Sequence, residues 1–388
     1  MKVFADLHIH IGRSGDGRPV KITAANSLTV ENVLHEAAVR KGIEMVGLVD
    51  SGSPGVQSDL QRLLDQGLLE PLPGGGFTYR HKVTLIPAME VETSEVKGAG
   101  HFVAYFPGLG MIKACAGELA RYVTNMQLST QRARLRVEEL WDLVQEFHGL
   151  LIPAHIFTPY KSVYGSCCDS LTELLRPDQL ANLKAVELGL SSDTDLAGQI
   201  GELDHLAFLS NSDAHSLAKI GREYNLLQVQ EADFNNLLWS LGGENRCCVL
   251  ANYGFDPKLG KYHRTFCAEC GRVARTPPPV TVCTACGSSK VVKGVLDRIA
   301  ELANPGKAAR PPYIHQVPLQ FLPGVGPKTL EKLLQHFGTE MNVLHYTPQS
   351  ELEAVAGPAV SRYILASRTG SLEITDGGGG IYGRVLHE

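Results

Sequence analysis

Histidine and carboxylate side chains recur in this sequence at the ends of short apolar segments. One group is Asp6-Leu7-His8-Ile9-His10, and Ser212-Asp213-Ala214-His215 follows much later in the chain. Alternate residues of a strand point to the same face, so His8 and His10 can bind one ion, and Asp213 and His215 are paired in the same way. Four more residues of these types stand singly at segment ends: Asp50, Glu90, His101 and His155.

The chemistry open to these eight residues is metal binding. Imidazole and carboxylate ligands together suit zinc, manganese or iron, and carboxylates also suit magnesium. Eight ligands exceed the four that one tetrahedral ion takes, so the set predicts two to three divalent ions, with zinc, manganese or magnesium as candidates. Because clustered ions clamp phosphorus during an in-line displacement, we expect hydrolysis of a phosphate ester.

The segments that carry these residues have the pattern of strands alternating with helices, as in Val30–Lys41 and Arg132–Phe147. This alternation predicts a parallel sheet, open or closed as a barrel, with the active site at the C-terminal strand ends. Residues 68–80 are predicted to form a loop or small hairpin. The candidate strands are Val3–His8, Met45–Val49, Thr84–Glu90, His101–Tyr105, Leu150–Pro153, Ala185–Leu190 and Ala207–Asn211.

Asp193 follows the sixth candidate strand and is not needed to complete the metal-type set. A carboxylate at this position can orient or deprotonate an attacking water, so Asp193 is the catalytic candidate. The alternative is a helix N-cap, because Asp193 and Thr194 precede an amphipathic run. Glu187 is placed in the middle of the strand and is predicted to be a buried structural group.

A second metal-type motif is Cys267-x-x-Cys270, followed after twelve residues by Cys283-x-x-Cys286. This spacing is typical of a zinc ribbon, and four thiolates leave no open position, so one structural zinc is expected. The other five cysteines show no pairing logic, which excludes a disulfide framework.

The net charge of −5 is unevenly distributed along the chain. Residues 1–245 carry 20 Lys and Arg against 30 Asp and Glu, whereas residues 246–310 carry 11 against 4. The surplus positive charge around the cysteines is either a solvated face or a contact surface for a phosphate backbone. In the second case Arg264, Arg272 and Arg275 are DNA-binding candidates.

A glycine-containing turn, Pro323-Gly324-Val325-Gly326-Pro327-Lys328, precedes an amphipathic segment. Its glycines let backbone N–H groups approach a phosphate. The turn resembles a helix-hairpin-helix motif, which binds DNA without reading its sequence, and Gly324, Gly326 and Lys328 are its candidate contacts. The segment from Leu352 to Val360 resembles a second copy that lacks the second glycine.

The order of the histidines and carboxylates over about residues 1–245 resembles the PHP domain, a family named after polymerase and histidinol phosphatase. The resemblance implies a distorted seven-stranded β/α barrel with a trinuclear metal site that hydrolyses phosphate esters. One motif departs from the family pattern, because Val49-Asp50-Ser51 stands where many relatives have an Asp-His pair.

With the cysteine module and the hairpin included, the chain resembles the endonuclease Q family of DNA-repair nucleases over nearly its whole length. This resemblance implies nicking of double-stranded DNA 5′ to deaminated bases (uracil, hypoxanthine and xanthine) and to abasic sites. The alternatives are another PHP nuclease, a small-molecule phosphatase of the histidinol-phosphate type, and a DNA-binding scaffold with an inactive barrel. A small substrate needs neither a cysteine module nor a hairpin, and an inactive barrel needs no ligand set.

These features predict an α/β protein of three domains. They are a PHP metallophosphoesterase barrel (1–245), a basic zinc-binding module (246–302), and a linker with a helix-hairpin-helix-like DNA-binding domain (303–388). No apolar run is long enough for a membrane span and no signal peptide is recognisable, so a cytoplasmic, nucleoid-associated protein without a membrane partner is expected. The sequence leaves protein partners and oligomeric state open.

Overall fold

The computed structural model describes residues 1–386 of the 388-residue chain. The strands in this range are β1 Lys2–Ile9, β2 Met45–Leu48, β3 Leu69–Pro71, β4 Phe77–Tyr79, β5 Val83–Ser94, β6 Ala99–Tyr105, β7 Leu150–Pro153, β8 Ala185–Glu187, β9 Ala207–Leu209, β10 Tyr224–Gln228, β11 Cys248–Gly254, β12 Phe266–Cys267, β13 Val291–Val292, β14 Tyr313–His315, β15 Ile374–Thr375 and β16 Arg384–Val385. The α-helices are α1 Val30–Glu36, α2 Pro54–Asp65, α3 Leu109–Leu119, α4 Val137–Glu146, α5 Pro177–Asn182, α6 Thr194–Ala197, α7 Phe234–Gly242, α8 Val295–Leu302, α9 Pro327–Phe337, α10 Gln349–Ala356 and α11 Pro358–Arg368.

The main sheet has the order β14–β11–β10–β1–β2–β5–β4–β3, with β6 and β7 attached beside β5 and with β8 and β9 paired separately. Strands β1, β2 and β5 are parallel, as the alternation of strands and helices predicts. Strand β6 instead runs antiparallel to both β5 and β7. Only residues 95–98 join β5 to β6, and so short a connection cannot hold a crossover helix. The expected α/β class is confirmed, whereas an all-parallel sheet is wrong.

Both faces of β1 are buried, so its polar side chains need hydrogen-bond partners inside the protein. Val3, Ala5 and Leu7 belong to one apolar cluster of the core, and Phe4 belongs to the other. Asp6 accepts hydrogen bonds from the N–H groups of Ser212 (3.0 Å) and Gly221 (2.8 Å), and burial raises its pKa to about 6. The first strand is therefore tied to the loop that carries the second histidine motif.

Several local expectations hold. The helical pattern Val30–Lys41 forms α1 and a π-helical turn over Ala37–Lys41, and residues 68–80 contain the antiparallel pair β3 and β4. Helix α4 begins only at Val137, where the Glu139 side chain accepts from the N–H of Arg136 and caps the first turn. Strands β10 and β11 are additions to the seven expected ones.

The C-terminal part of the chain packs against the barrel. Strand β14 extends the main sheet by pairing in parallel with β11. Lys41 and Glu340 form a buried ion pair at 2.8 Å between the π turn after α1 and the segment after α9. The boundary at residue 245 stays a prediction, but β11 beyond it pairs with β10 of the main sheet. Within residues 1–386, no helix has the length and apolar character that crossing a bilayer requires.

Glu223, next to β10, is a buried carboxyl group whose pKa is raised to about 8 by burial. Its Oε1 accepts from the N–H of Phe255 at 3.0 Å, and its Oε2 has no hydrogen-bond partner among the described residues. As pH rises above the usual value of 4.5, the unfolded chain releases this proton first, so the group destabilises the fold progressively up to pH 8. We expect Glu223→Gln to stabilise the protein by roughly 1–4 kcal/mol more at pH 8 than at pH 4.5.

Urea unfolding of Glu223→Gln and of the wild type at both pH values measures this difference. Glu231→Gln is the control, because Glu231 is an exposed glutamate close to Glu223 in the sequence. Its substitution should not stabilise the protein more at one pH than at the other. An equal effect of Glu223→Gln at both pH values would contradict the assignment.

Candidate metal centre

Two groups of three side chains meet at the ends of the barrel strands. The ligand atoms of His8, His10 and Asp213 lie within 4.8 Å of one another, and those of a second group do the same. The second group consists of Glu90 on β5, His101 on β6 and His155 just after β7. The structure therefore brings together six of the eight predicted ligands.

Glu90 faces both groups. Its Oε1 lies 2.8 Å from Nδ1 of His101, 3.5 Å from Nε2 of His155 and 3.7 Å from Nε2 of His8. Its Oε2 lies 3.5 Å from Nε2 of His10. Because Glu90 contacts members of both groups, it would be available as a ligand to an ion in either of them.

The backbone is strained at two of these residues. Asp213 has φ +45° and His155 has φ +31°, values that residues other than glycine rarely adopt. The strained geometry of Asp213 places its Oδ1 3.3 Å from Nε2 of His10 and 3.7 Å from Nε2 of His8. Strain of this kind persists where surrounding structure enforces it, and it concentrates at functional sites.

Two carboxylates orient the first pair of histidines from behind. Oε2 of Glu187 lies 2.9 Å from Nδ1 of His8, and both oxygens of Asp50 lie 3.1 Å from Nδ1 of His10. These contacts turn the Nε2 atoms of both rings toward Glu90 and Asp213. Carboxylates behind metal-binding histidines fix the ring tautomer in this way. Direct contact between Asp50 and an ion stays a prediction.

Glu187 contacts a candidate ligand, His8, and this contact was not predicted from the sequence. The sixth strand was predicted to continue to Leu190, which put Glu187 in its middle, but β8 ends at Glu187. One signal was available in the sequence: Glu187 is a glutamate that follows apolar strand residues, as Glu90 does on β5. Asn211 donates to the same Oε2 of Glu187 at 3.2 Å and holds it against His8.

The charges in the cluster favour cation binding. Burial opposes protonation of His8, but the negative charges of Glu187, Asp213 and Glu90 outweigh it and raise the pKa of His8 to about 10. Burial also acts against ionised Glu90, yet the charges of His101 and Lys21 hold the pKa of Glu90 well below its usual range. Nε2 of His8 is buried without a hydrogen-bond partner in the described part of the chain. An unpartnered ring nitrogen facing carboxylates fits a metal ligand.

His215 and Asp193 lie outside the two groups. Nδ1 of His215 lies 3.0 Å from the carbonyl oxygen of Asp213, the His215 ring is 4.5 Å from that of His10, and burial lowers the pKa of His215 to about 4. Asp193 caps α6 by accepting from the N–H of Leu196, and its other oxygen lies 3.1 Å from Nε2 of His315. The N-cap alternative thus describes its contacts, and a catalytic role for Asp193 stays a prediction.

Two adjoining cavities, of about 390 and 560 Å³, open onto the cluster. Both are lined by Tyr160 and Tyr262, whose ring centres are 6.0 Å apart, and by Lys261. Nζ of Lys261 lies 4.8 Å from the ring centre of Tyr262 and 5.9 Å from that of Tyr382. The metal-type groups therefore lie at the base of an aromatic and basic opening.

The four cysteines of the second motif lie together. Sγ of Cys267 is 3.6 Å from Sγ of Cys286, and Sγ of Cys270 is 3.7 Å from Sγ of Cys283. The edge of a tetrahedron with Zn–S bonds of about 2.3 Å is roughly 3.8 Å, so the sulfurs fit a zinc ion. Hydrogen bonds from the N–H groups of Ala285 and Cys286 lower the pKa of Cys283 to about 6, which favours the thiolate.

The basic residues near the cysteines have different surroundings. Nε of Arg264 lies 3.5 Å from Oδ2 of buried Asp297, and its Nη2 donates to the carbonyl of Thr276, so it braces the module internally. Arg272 and Arg275 are exposed and line a groove of about 540 Å³. Arg272 and Arg275 are therefore open to a large anion, whereas Arg264 is not.

The predicted hairpin is a turn into α9. Gly324 has φ +79°, which favours glycine, and Gly326 is the N-cap of α9 with open space around the position of a Cβ. Lys328 is exposed in the first helical turn. Gly357, with φ +85°, is the single residue between α10 and α11, so the second segment has no turn comparable to that of Gly324 and Gly326.

Because Glu187 orients His8, its substitution is expected to weaken metal binding without abolishing it. Glu187→Gln keeps the size of the side chain but removes the charge that holds His8, so we expect metal affinity to fall about 10–100-fold. Isothermal titration calorimetry of the purified protein with Mn²⁺ measures the metal affinity. Glu202→Gln, which alters a carboxylate bound to Tyr164, is the control. Unchanged Mn²⁺ affinity of Glu187→Gln would contradict the role.

Comparison with known proteins places the chain among nucleases. No family model matches it. It is 46% identical to the uncharacterized protein YqxK of Bacillus subtilis (strain 168), over 99% of each chain. The crystal structure of the lesion-specific endonuclease PfuEndoQ from Pyrococcus furiosus matches 99% of this chain and 95% of that chain, at 31% identity and a TM-score of 0.83. Endonuclease Q in complex with a 27-mer duplex with an abasic lesion at the active site matches 100% and 97%, at 30% identity and a TM-score of 0.84.

Proposed function

Since this chain belongs to the endonuclease Q family, we propose that it is a metal-dependent endonuclease of DNA repair with a PHP-type centre. It nicks the phosphodiester 5′ to deaminated bases (uracil, hypoxanthine and xanthine) and to abasic sites in double-stranded DNA, and it acts at the nucleoid in the cytoplasm. The observation that carries the proposal is Glu90, which joins two metal-type groups at the base of the aromatic and basic opening.

In this proposal His8, His10 and Asp213 would hold one ion, His101 and His155 would hold another, and Glu90 would be a ligand available to both. When bound, the ions activate water and neutralise charge on the phosphate that is cleaved. A third ion, as the family resemblance implies, would involve His215.

The other residues of the centre position these groups. Glu187 and Asp50 keep the imidazoles of His8 and His10 turned inward. Nζ of Lys21 lies 3.0 Å from Oε2 of Glu90 and 2.6 Å from Oγ1 of Thr130, which fixes the outer oxygen of that carboxylate. The low pKa of His215, caused by burial, keeps its ring neutral at neutral pH, with one nitrogen available as a ligand or proton acceptor.

In this proposal the opening onto the metal-type groups receives an extruded nucleotide. Enzymes that act at a damaged nucleotide take it out of the stack, and weakened pairing lowers the cost of doing so. Tyr160, Tyr262 and Tyr382 line the adjoining cavities and present aromatic faces on which a base or a sugar can pack.

Duplex binding away from the lesion is assigned to two surfaces. One comprises Arg272 and Arg275 beside the structural zinc, and the other is the turn with Gly324, Gly326 and Lys328. Both carry exposed cations, and the turn also presents N–H groups at the start of α9. Arg264 supports the first surface from within through Asp297.

These surfaces predict a change in salt dependence. Because each phosphate contact contributes about −0.9 to the slope of log K against log salt, we expect Lys328→Ala to reduce the slope by about 1, and Arg272→Ala with Arg275→Ala by about 2. Fluorescence anisotropy of a labelled duplex at several salt concentrations measures the slope. Lys82→Ala, on the loop before β5, is the control and should leave the slope unchanged. An unchanged slope for Lys328→Ala would show that Lys328 does not contact a phosphate.

Incision of a labelled duplex tests the function. Duplexes with one deoxyuridine, deoxyinosine or abasic site are incubated with Mn²⁺ or Mg²⁺, and the cut is mapped against an undamaged duplex. We expect a single nick 5′ to the lesion and no nick in the control. Release of phosphate from histidinol phosphate without incision of any damaged duplex would overturn the proposal in favour of a small-molecule phosphatase.

A further inference from the structure

Three cations lie along one wall of the 390 Å³ cavity beside the metal-type groups. They are Lys219, Arg222 and Lys261, and they line it together with Asp213 and His215. Lys219 ends a 3-10 turn at Leu217–Lys219, and Lys261 precedes the cysteine module. Residues from the barrel and from the zinc-binding region thus converge on this wall.

The cations of this wall differ from other lysines near the centre. Lys21 is paired with Glu90 at 3.0 Å, and Lys161 with Glu92 at 2.8 Å. Within residues 1–386, neither Lys219 nor Lys261 has a carboxylate oxygen within the 4.0 Å of an ion pair. The two positive charges are therefore available to an incoming anion.

The third cation, Arg222, is held by hydrogen bonds to the backbone. It is 7% exposed, its Nε donates to the carbonyl of Ser212 at 2.7 Å, and its Nη2 to that of Asp213 at 3.4 Å. Both acceptors are backbone carbonyls, and within residues 1–386 no carboxylate oxygen lies within the 4.0 Å of an ion pair with the guanidinium of Arg222. Burial, together with the charges of Arg222 and Lys261, lowers the pKa of Lys219, and the charge of Asp213 only partly opposes this effect.

The charge and shape of the wall indicate its ligand. Like charges that are not paired with a carboxylate are stabilised by a bound polyanion, and cations on flexible stems suit a phosphate. An extruded nucleotide carries a phosphate on each side, of which the ions hold only the one that is cleaved. The second phosphate needs its own site, at about one nucleotide from the first.

We propose that Lys219, Arg222 and Lys261 form a subsite for the phosphate on the far side of the extruded nucleotide from the cleaved bond. This inference rests on the proposed function. Lys261 is held in place by Tyr262 and Tyr382, with its ammonium group over both rings. The same side chain therefore ties the aromatic lining of the cavity to the phosphate that borders it.

The test combines charge removal in the protein with charge removal in the DNA. The variants are Lys219→Met and Lys261→Met, which keep much of the aliphatic stem. The substrates are abasic duplexes with a natural linkage, or with a neutral methylphosphonate, immediately 3′ to the lesion. Kd is measured by fluorescence anisotropy, which does not require cleavage. Lys113→Met on α3, which lines a separate surface groove, and a methylphosphonate several linkages away are the controls.

We expect each variant to bind the natural duplex about 10-fold more weakly, in line with roughly 1.4 kcal/mol for one phosphate contact. The neutral linkage should weaken binding by the wild type, and this penalty should shrink in both variants but not in Lys113→Met. An undiminished penalty in both variants would overturn the subsite even if the wild type incises damaged DNA. Absence of incision by the wild type would instead overturn the proposed function.

Discussion

Glu90→Gln is expected to abolish incision of an abasic duplex, with kcat lowered by about 10³-fold or more, equivalent to about 4 kcal/mol. Glutamine preserves the shape of Glu90 but cannot bind an ion with each of two anionic oxygens. One oxygen of Glu90 faces His8, His101 and His155, and the other faces His10. The substitution therefore acts on both groups at once.

Single-turnover incision assays, with metal content determined on the same sample, measure this effect. Glu92→Gln is the matched control on the same strand. Glu92 contacts His101 and Lys161 but faces no second group, so its substitution should cost at most about 10–100-fold. Circular dichroism establishes whether Glu90→Gln remains folded. A folded Glu90→Gln that incises as fast as the wild type would refute the shared-carboxylate mechanism.

Cys283→Ser is expected to release one zinc per chain and to unfold the segment between β11 and α8. Zinc binding contributes about 10–16 kcal/mol to folding in small zinc modules, far more than the short pair β12 and β13 can supply. Since Arg272 and Arg275 line a groove with Cys267 and Cys283, their placement depends on this ion. Duplex affinity should therefore fall at least about 10-fold.

Zinc analysis, hydrogen exchange and anisotropy with a labelled duplex measure the three parts of this prediction. Cys248→Ser is the control, because Cys248 lies on β11, outside the cluster of four. The barrel should keep its own metals and its thermal transition in both variants. A Cys283→Ser protein that retains the same zinc content and exchange protection would show that the cysteines do not form a structural zinc site.

The metal-type residues could be predicted because their signal is local. Side chains two apart on a strand share a face, so the common position of His8 and His10 follows from their spacing. The expected pairing of Asp213 with His215 was wrong, because both lie in a loop beyond β9, and only Asp213 joins the group of His8 and His10. The connection of β5 to β6 shows the limit of such reasoning. Whether a short link reverses the chain or a helix crosses over depends on where a strand ends, which the apolar pattern leaves uncertain by several residues.

The same uncertainty explains the residue that was missed. A strand extended by three residues moved Glu187 from the rim to the interior of the predicted sheet, although it contacts His8. Asp193 shows the converse, since its position fitted catalysis, while its contacts are those of a helix cap and a partner of His315. The pairing of β14 with β11 joins residues that are far apart in the sequence, and no local sequence pattern predicts it.

Tyr382 has a consequence for how the enzyme is made. It lies between β15 and β16, yet it lines a cavity whose other walls include Thr23, His155 and Asp213. If translation stops or a protease cuts between α11 and β15, every proposed barrel ligand is still present. The cavity then lacks Tyr382 among its lining residues. Under the proposed function, translation of nearly the entire chain precedes the assembly of a fully selective centre, and fragments are expected to hold metal without distinguishing damaged from intact DNA.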